Sequence, residues 1–231
     1  MKRLLVACMS MLLVCSGCAW FQSPREDKTA QELVQDGVDA FADGRYRKAI
    51  ENFEKLRDWY PFSKYAILAE LKIADAHYNL KEYADAIAAY EAFEQLHPRN
   101  EAIPYVIYRI GRSYFNQMGT LDTDPSNTTK ALETYQRLIR QFPQGIYANM
   151  ARSDMLACYQ NLSGHAYYVG VFYYKMKNYK AAKQRFLSVV EDYPDVGFHH
   201  DALTYLANCD LWLKDQTQQP EETASAPLSI P

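Results

Sequence analysis

The side chains able to do chemistry are few and poorly spaced for it. Five histidines stand at His77, His97, His165, His199 and His200. None lies four residues from another with a glutamate between, the spacing that sets two imidazoles on one helical face around zinc. His199 and His200 are neighbours and point to different sides of a helix, so they read as polar residues at a helix start. Beyond Cys18 the chain holds no CxxC pair, phosphate loop, dinucleotide fingerprint or GxSxG turn. Asp122, Asp124 and Glu133 fall at positions 1, 3 and 12 of an EF-hand frame. The frame fails: Asn127 stands where the tight turn needs Gly, Lys130 puts a positive charge among the ligands, and Glu133 belongs inside a helix. The segment reads instead as a loop in which Asn127 or Thr128 caps the following helix. Neither catalysis nor a metal or cofactor is expected, and the chain reads as a protein that binds other polypeptides.

One residue does carry a covalent expectation. Lys2 and Arg3 precede an apolar run from Leu4 to Val14, then Ser16, Gly17 and Cys18, the three-part form of a secretory leader and too short to span a bilayer. Cys15-Ser16-Gly17-Cys18 resembles a lipobox, with Cys15 where Leu is usual, so residues 1–17 are expected to be removed and Cys18 to be acylated. The alternative is an ordinary leader that leaves Cys18 a free thiol. Acyl chains contribute about 0.8 kcal/mol per buried methylene and would hold the protein at a bilayer. Ala19, rather than Asp, follows the cysteine and points to the periplasmic face of the outer membrane. Residues 18–29 read as a tether. Cys158 and Cys209 sit on apolar helical stripes and read as buried thiols, with a disulfide between them as the alternative.

The elements behind these residues are helical. The chain has 231 residues, 48% hydrophobic and 14% aromatic, with 9 glycines and 10 prolines and a formal charge of −3. That composition argues against disorder, and the interspersed charges offer no basic stripe for nucleic acid. A helix-turn-helix unit of about 34 residues expects a small residue at position 8, Ala at 20, an aromatic at 24, an apolar residue at 27 and Pro at 32. Counting from Ala30 gives Gly37, Ala49, Phe53, Leu56 and Pro61, and counting from Ile67 gives Ala74, Ala86, Tyr90, Phe93 and Pro98. A third copy from Pro104 has Gly111, an eight-residue insertion, then Ala131, Tyr135, Leu138 and Pro143, and a fourth from Ser163 has Gly170, Ala182, Phe186, Val189 and Pro194. The small residues let two helices cross closely, the aromatic is expected to fill the space between repeats, and the proline closes the second helix. Ile146–Leu162 and His199–Leu213 read as two more helices. The fold class is therefore all-α: a tetratricopeptide superhelical solenoid of about ten helices in about five repeats over 30–214, with residues 215–231 expected to be a disordered tail.

In such a solenoid, positions 2, 5, 9 and 12 of each first helix look into the inner groove. These are Gln31, Val34, Val38 and Phe41, then Leu68, Leu71, Asp75 and Tyr78, then Tyr105, Tyr108, Arg112 and Phe115. The stripe reads either as core or as a wet groove for extended peptides with aromatic side chains, which tyrosine suits by its flat face and polar end.

The lipobox, the repeat phases and the strings Asp43-Gly44-Arg45-Tyr46, Tyr60-Pro61-Phe62, Asp122-Thr123-Asp124-Pro125 and Asp192-Tyr193-Pro194-Asp195 together resemble the BamD family, the lipoproteins of the outer-membrane β-barrel assembly machinery. The resemblance implies that the N-terminal repeats (30–143) capture targeting signals of unfolded outer-membrane proteins. The C-terminal repeats (144–214) would hold the periplasmic domain of the barrel-forming, BamA-like subunit alongside other assembly lipoproteins. It carries Tyr60 over as a substrate contact and Arg185 as a contact to the barrel subunit. The sequence departs from the family pattern at Ser63, where Gly is usual, and at Ala166, where Glu is usual. A different periplasmic repeat lipoprotein, a pilotin for secretin or pilus pores or a scaffold for envelope constriction, would share the repeat positions but not the Tyr-Pro-Phe and Asp-Thr-Asp-Pro strings.

Overall fold

A computed structural model describes the backbone of residues 28–224 and the side chains of residues 28–216. The expected leader, Cys18, most of the tether and residues 225–231 lie outside the described residues. Among those described are nine α-helices and no strand: α1 (Ala30–Ala42), α2 (Tyr46–Trp59), α3 (Ala66–Asn79), α4 (Tyr83–Leu96), α5 (Ile103–Phe115), α6 (Ser126–Gln141), α7 (Ile146–Lys175), α8 (Tyr179–Glu191) and α9 (His199–Ala224). Each packs against its neighbours in sequence, and α5 also meets α7, the stacking of a solenoid. No described helix is long and apolar enough to cross a membrane.

The repeat positions are the core. Ala49, Phe53, Leu56, Ala74, Ala86, Tyr90, Phe93, Ala131, Tyr135, Leu138, Ala182, Phe186 and Val189 are all buried. The aromatic at position 24 reaches the next element, as the periodicity suggests: Phe186 stacks on Tyr205 at 4.8 Å, Tyr90 accepts from Arg109 at 3.0 Å and Tyr135 donates to Asp154 at 3.1 Å. Its ring also presses on position 8 of its own repeat: a Cβ placed on Gly37, Gly111 or Gly170 would fall 2.5, 2.5 and 2.7 Å from Phe53, Tyr135 and Phe186. A small residue at position 8 and an aromatic at 24 are thus two halves of one contact. The turn between paired helices is equally regular. Position 15 is left-handed in three repeats, with φ of 73° at Gly44, 61° at Lys81 and 60° at Lys177.

Three readings from the sequence are corrected. Ile146–Leu162 and the first helix of the fourth repeat form one 30-residue helix, α7, so nine helices stand where about ten were expected. Gly164, next to the repeat start counted at Ser163, is helical and small because Leu121 and Phe198 press on it, at 2.9 and 3.0 Å from a Cβ built there. The N-cap residue of α6 is Pro125, with no side-chain cap bond, and Asp124 just before it accepts at Oδ1 from the Ser126 amide and hydroxyl at 3.1 and 2.7 Å. Asn127 instead donates to the Gln117 carbonyl, and Thr128 is buried with its hydroxyl on Asn161. Finally, α9 continues to Ala224, so residues 215–224 are helical, because extending a packed helix costs far less than nucleating one.

The insertion before α6 brackets the middle of α7. Asn161 Nδ2 donates to the Gly119 carbonyl at 2.9 Å, and His165 Nδ1 lies 2.8 Å from the Leu121 carbonyl, which assigns the proton to that nitrogen. Below this bracket α7 contributes Ala151, Cys158 and Leu162 to the central core, and above it Ala166 joins the C-terminal core with Tyr179, Phe186 and Ala202. Cys158 and Cys209 are buried free thiols.

Candidate peptide-binding groove

The first helices α1, α3 and α5 carry the groove positions, and the structure shows what those side chains do. Asp75, on α3, is buried. Its Oδ1 accepts from the Tyr90 and Tyr105 hydroxyls, both at 2.6 Å, and its Oδ2 lies 3.1 Å from Lys72 Nζ. Lys72 in turn stands 4.8 Å above the Phe41 ring, so the charge on one repeat is seated on an aromatic of the one before. A second carboxylate, Asp154 on α7, repeats the arrangement. Its Oδ2 accepts from Tyr108 and Tyr135 at 3.2 and 3.1 Å, and its Oδ1 accepts from Arg112 Nη1 at 3.1 Å.

These contacts settle what the tyrosine hydroxyls are. Burial, reinforced by Asp75, pushes Tyr90 and Tyr105 far above the ordinary tyrosine range, and burial with Asp154 does the same to Tyr135. Tyr108 is raised by the same causes, in the same order, to about 12. They are permanent donors at neutral pH, spent on the carboxylates beneath them. The neighbouring cations lie against rings. The Arg109 Cζ lies 3.4 Å from the Tyr78 ring centroid, while its Nε donates to Tyr90 at 3.0 Å. Arg112 stands 4.8 Å from the Phe115 ring. Tyr147, on α7, closes the group edge-on to Tyr105 at 5.5 Å and tilted against Tyr108 at 5.8 Å.

The structure therefore brings Phe41, Tyr78, Tyr105, Tyr108, Arg112 and Phe115 into one chain of contacts, but it buries Tyr108 in the core. Phe41, Tyr78, Tyr105, Arg112 and Phe115 are half-buried, and the Tyr105 and Tyr108 hydroxyls are tied to carboxylates. Tyr60 stands apart. Its ring packs on the N-terminal core and its hydroxyl donates to the Lys28 carbonyl at 3.0 Å. Arg185 is exposed on α8, where it lines an open depression of about 440 Å³ with Gln184, Leu187, Ser188, Glu191 and Asp192.

Counting groove positions missed Lys72, Arg109, Tyr147 and Asp154. Asp75 carried the available signal, a carboxylate at an inward position among apolar neighbours, which must find buried donors. The sequence also gave no sign that His77, Glu82 and Asp85 would gather at the α3–α4 turn, with ligand atoms within 4.8 Å of one another. Glu82 there is already engaged by Arg47 Nη2 at 2.6 Å and by His77 at 2.9 Å.

Comparison with known proteins adds the following. Residues 26–224 match the family model YfiO, described as an outer membrane lipoprotein. The chain is 27% identical to the outer membrane protein assembly factor BamD of Neisseria gonorrhoeae, over 89% of this chain and 83% of the relative. It is 27% identical to the protein of the same name from Rickettsia prowazekii, over 92% and 85%. Among solved structures, a crystal structure of MamA protein aligns at a TM-score of 0.41 and 16% identity, over 87% of this chain and 97% of the other.

Proposed function

Because the chain belongs to the YfiO family of outer membrane lipoproteins, we propose that it is a non-enzymatic assembly factor for outer-membrane proteins, as its relatives' names describe them. It is anchored through acylated Cys18 on the periplasmic face of the outer membrane. The N-terminal repeats bind the targeting signals of unfolded outer-membrane proteins, short segments that end in an aromatic residue. The C-terminal repeats, through Arg185 and its depression, hold the periplasmic domain of the barrel-forming, BamA-like subunit, and other assembly lipoproteins join them.

One observation carries the substrate half of this reading. Across α3, α5 and α7, Lys72 meets Asp75 and Arg112 meets Asp154, whereas Arg109 rests on Tyr78 and Tyr90. Guanidinium groups held against rings suit an extended peptide: the rings take its aromatic side chain and Arg109 takes a main-chain or terminal carboxylate oxygen. Tyr60 extends the contact toward the first repeat. The test is photo-crosslinking of membrane-bound protein to a peptide ending in Phe. Arg109→Gln together with Tyr78→Leu is expected to reduce the crosslink about tenfold with helix content unchanged, while an undiminished crosslink overturns the groove.

A further inference from the structure

The turn between α2 and α3 exposes aromatic surface with no internal use. Trp59 is 50% exposed and Phe62 is 101% exposed, so Phe62 has its entire ring in solvent. The turn holds it there: the Ser63 amide donates to the Tyr60 carbonyl at 2.9 Å and the Ala66 amide to the Ser63 carbonyl at 3.0 Å. Lys64 follows, 5.0 Å from the Tyr65 ring. Exposed rings are costly in water, and an apex of Trp, Phe and Lys has the composition that settles at a membrane–water boundary, where an indole and an ammonium sit among headgroups and a phenyl ring goes deeper.

The path of the chain says which surface this apex meets. Tyr60, in the same turn, holds the Lys28 carbonyl. Cys18 is ten residues before Lys28, and ten extended residues reach at most about 35 Å. A lipid on Cys18 therefore keeps Lys28, to which Tyr60 of this turn is bonded, within that distance of the bilayer, a high effective concentration for a weak second contact by the apex. We propose that Trp59, Phe62 and Lys64 of this turn insert into the headgroup region of the bilayer and, with the acyl chains, fix the orientation of the solenoid on the membrane. This rests on the lipid anchor at Cys18 proposed above.

The test uses the full lipidated chain with Trp20→Phe and Trp212→Phe, which leaves Trp59 as the sole tryptophan of three. The protein is reconstituted into phosphatidylethanolamine–phosphatidylglycerol vesicles, with acyl chains either ordinary or brominated near the headgroup. Trp59 emission is expected to shift to shorter wavelength on the vesicles and to lose about half its intensity with brominated lipid, and Phe62→Ser is expected to reduce that loss. Equal emission from the two vesicles, in protein that floats with them, overturns the membrane contact while leaving the anchor standing. Protein that does not float with vesicles overturns both. A shift that appears only when the barrel subunit is added assigns the apex to a protein partner and overturns the proposal.

Discussion

Asp75 and Asp154 each collect two tyrosine hydroxyls and one cation, so the loss of either carboxylate strands three partners. Asp75→Ala leaves the Tyr90 and Tyr105 hydroxyls and Lys72 without their shared acceptor, and is expected to cost about 3 kcal/mol of unfolding free energy. Asp75→Asn keeps one acceptor oxygen and should recover part of it, as denaturant titration of the two variants will show. The tyrosines add a pH dependence of definite sign. Tyr108 is raised from 10.0 to about 12 in the folded protein, so the unfolded chain loses its proton first. The stability tied to that proton is fully present below pH 10 and drains away as pH rises towards 12; tyrosinate absorbance should rise together with loss of the near-ultraviolet dichroism. Ionisation of these tyrosines near pH 10 without unfolding would count against their burial. The sequence shows Asp75 at an inward position, but not its partners, because hydroxyl and carboxylate meet across 15 and 30 residues of chain and no local period encodes that pairing.

Between elements, the fold is set by two repeated devices. The first is the seat of the position-24 ring on the position-8 glycine. Gly111→Ala would put a methyl 2.5 Å from Tyr135 and is expected to cost about 1–3 kcal/mol; Tyr135→Leu in the same chain should offset part of the strain, measured as non-additivity of the two changes. The second is the left-handed residue at position 15, which Gly44 meets freely and Lys81 and Lys177 meet under strain. Lys81→Gly is expected to stabilise the protein by about 1 kcal/mol, read as a higher melting temperature. Helix positions and turns were legible in the sequence because each repeat states them again. The fused helix α7 was not, because a glycine that permits a close approach of Leu121 and Phe198 has the same spelling as one that ends a helix.

At the scale of the molecule, α7 is about 45 Å long and belongs to two cores. Its lower half packs with Tyr108 and Tyr135, its upper half with Tyr179 and Phe186, so the packing changes hands at the bracket formed by Gly119 and Leu121 on Asn161 and His165. Inserting one alanine after Leu162 would rotate the upper half by about 100° relative to the lower. Unfolding is then expected to separate into two transitions in calorimetry, where the parent chain shows closer coupling; a single unshifted transition would mean that α7 does not link the cores. The insertion is thus part of what makes one body of two stacks. A different consequence follows from the bond between the Tyr60 hydroxyl and the Lys28 carbonyl, together with the reciprocal cap that Thr29 and Glu32 form at the start of α1. Any pull on the chain ahead of Lys28 is shared with the far end of α2 instead of peeling α1 from its first residue. The first repeat acts as a cleat, and a load on the mooring is borne by the packed pair of helices.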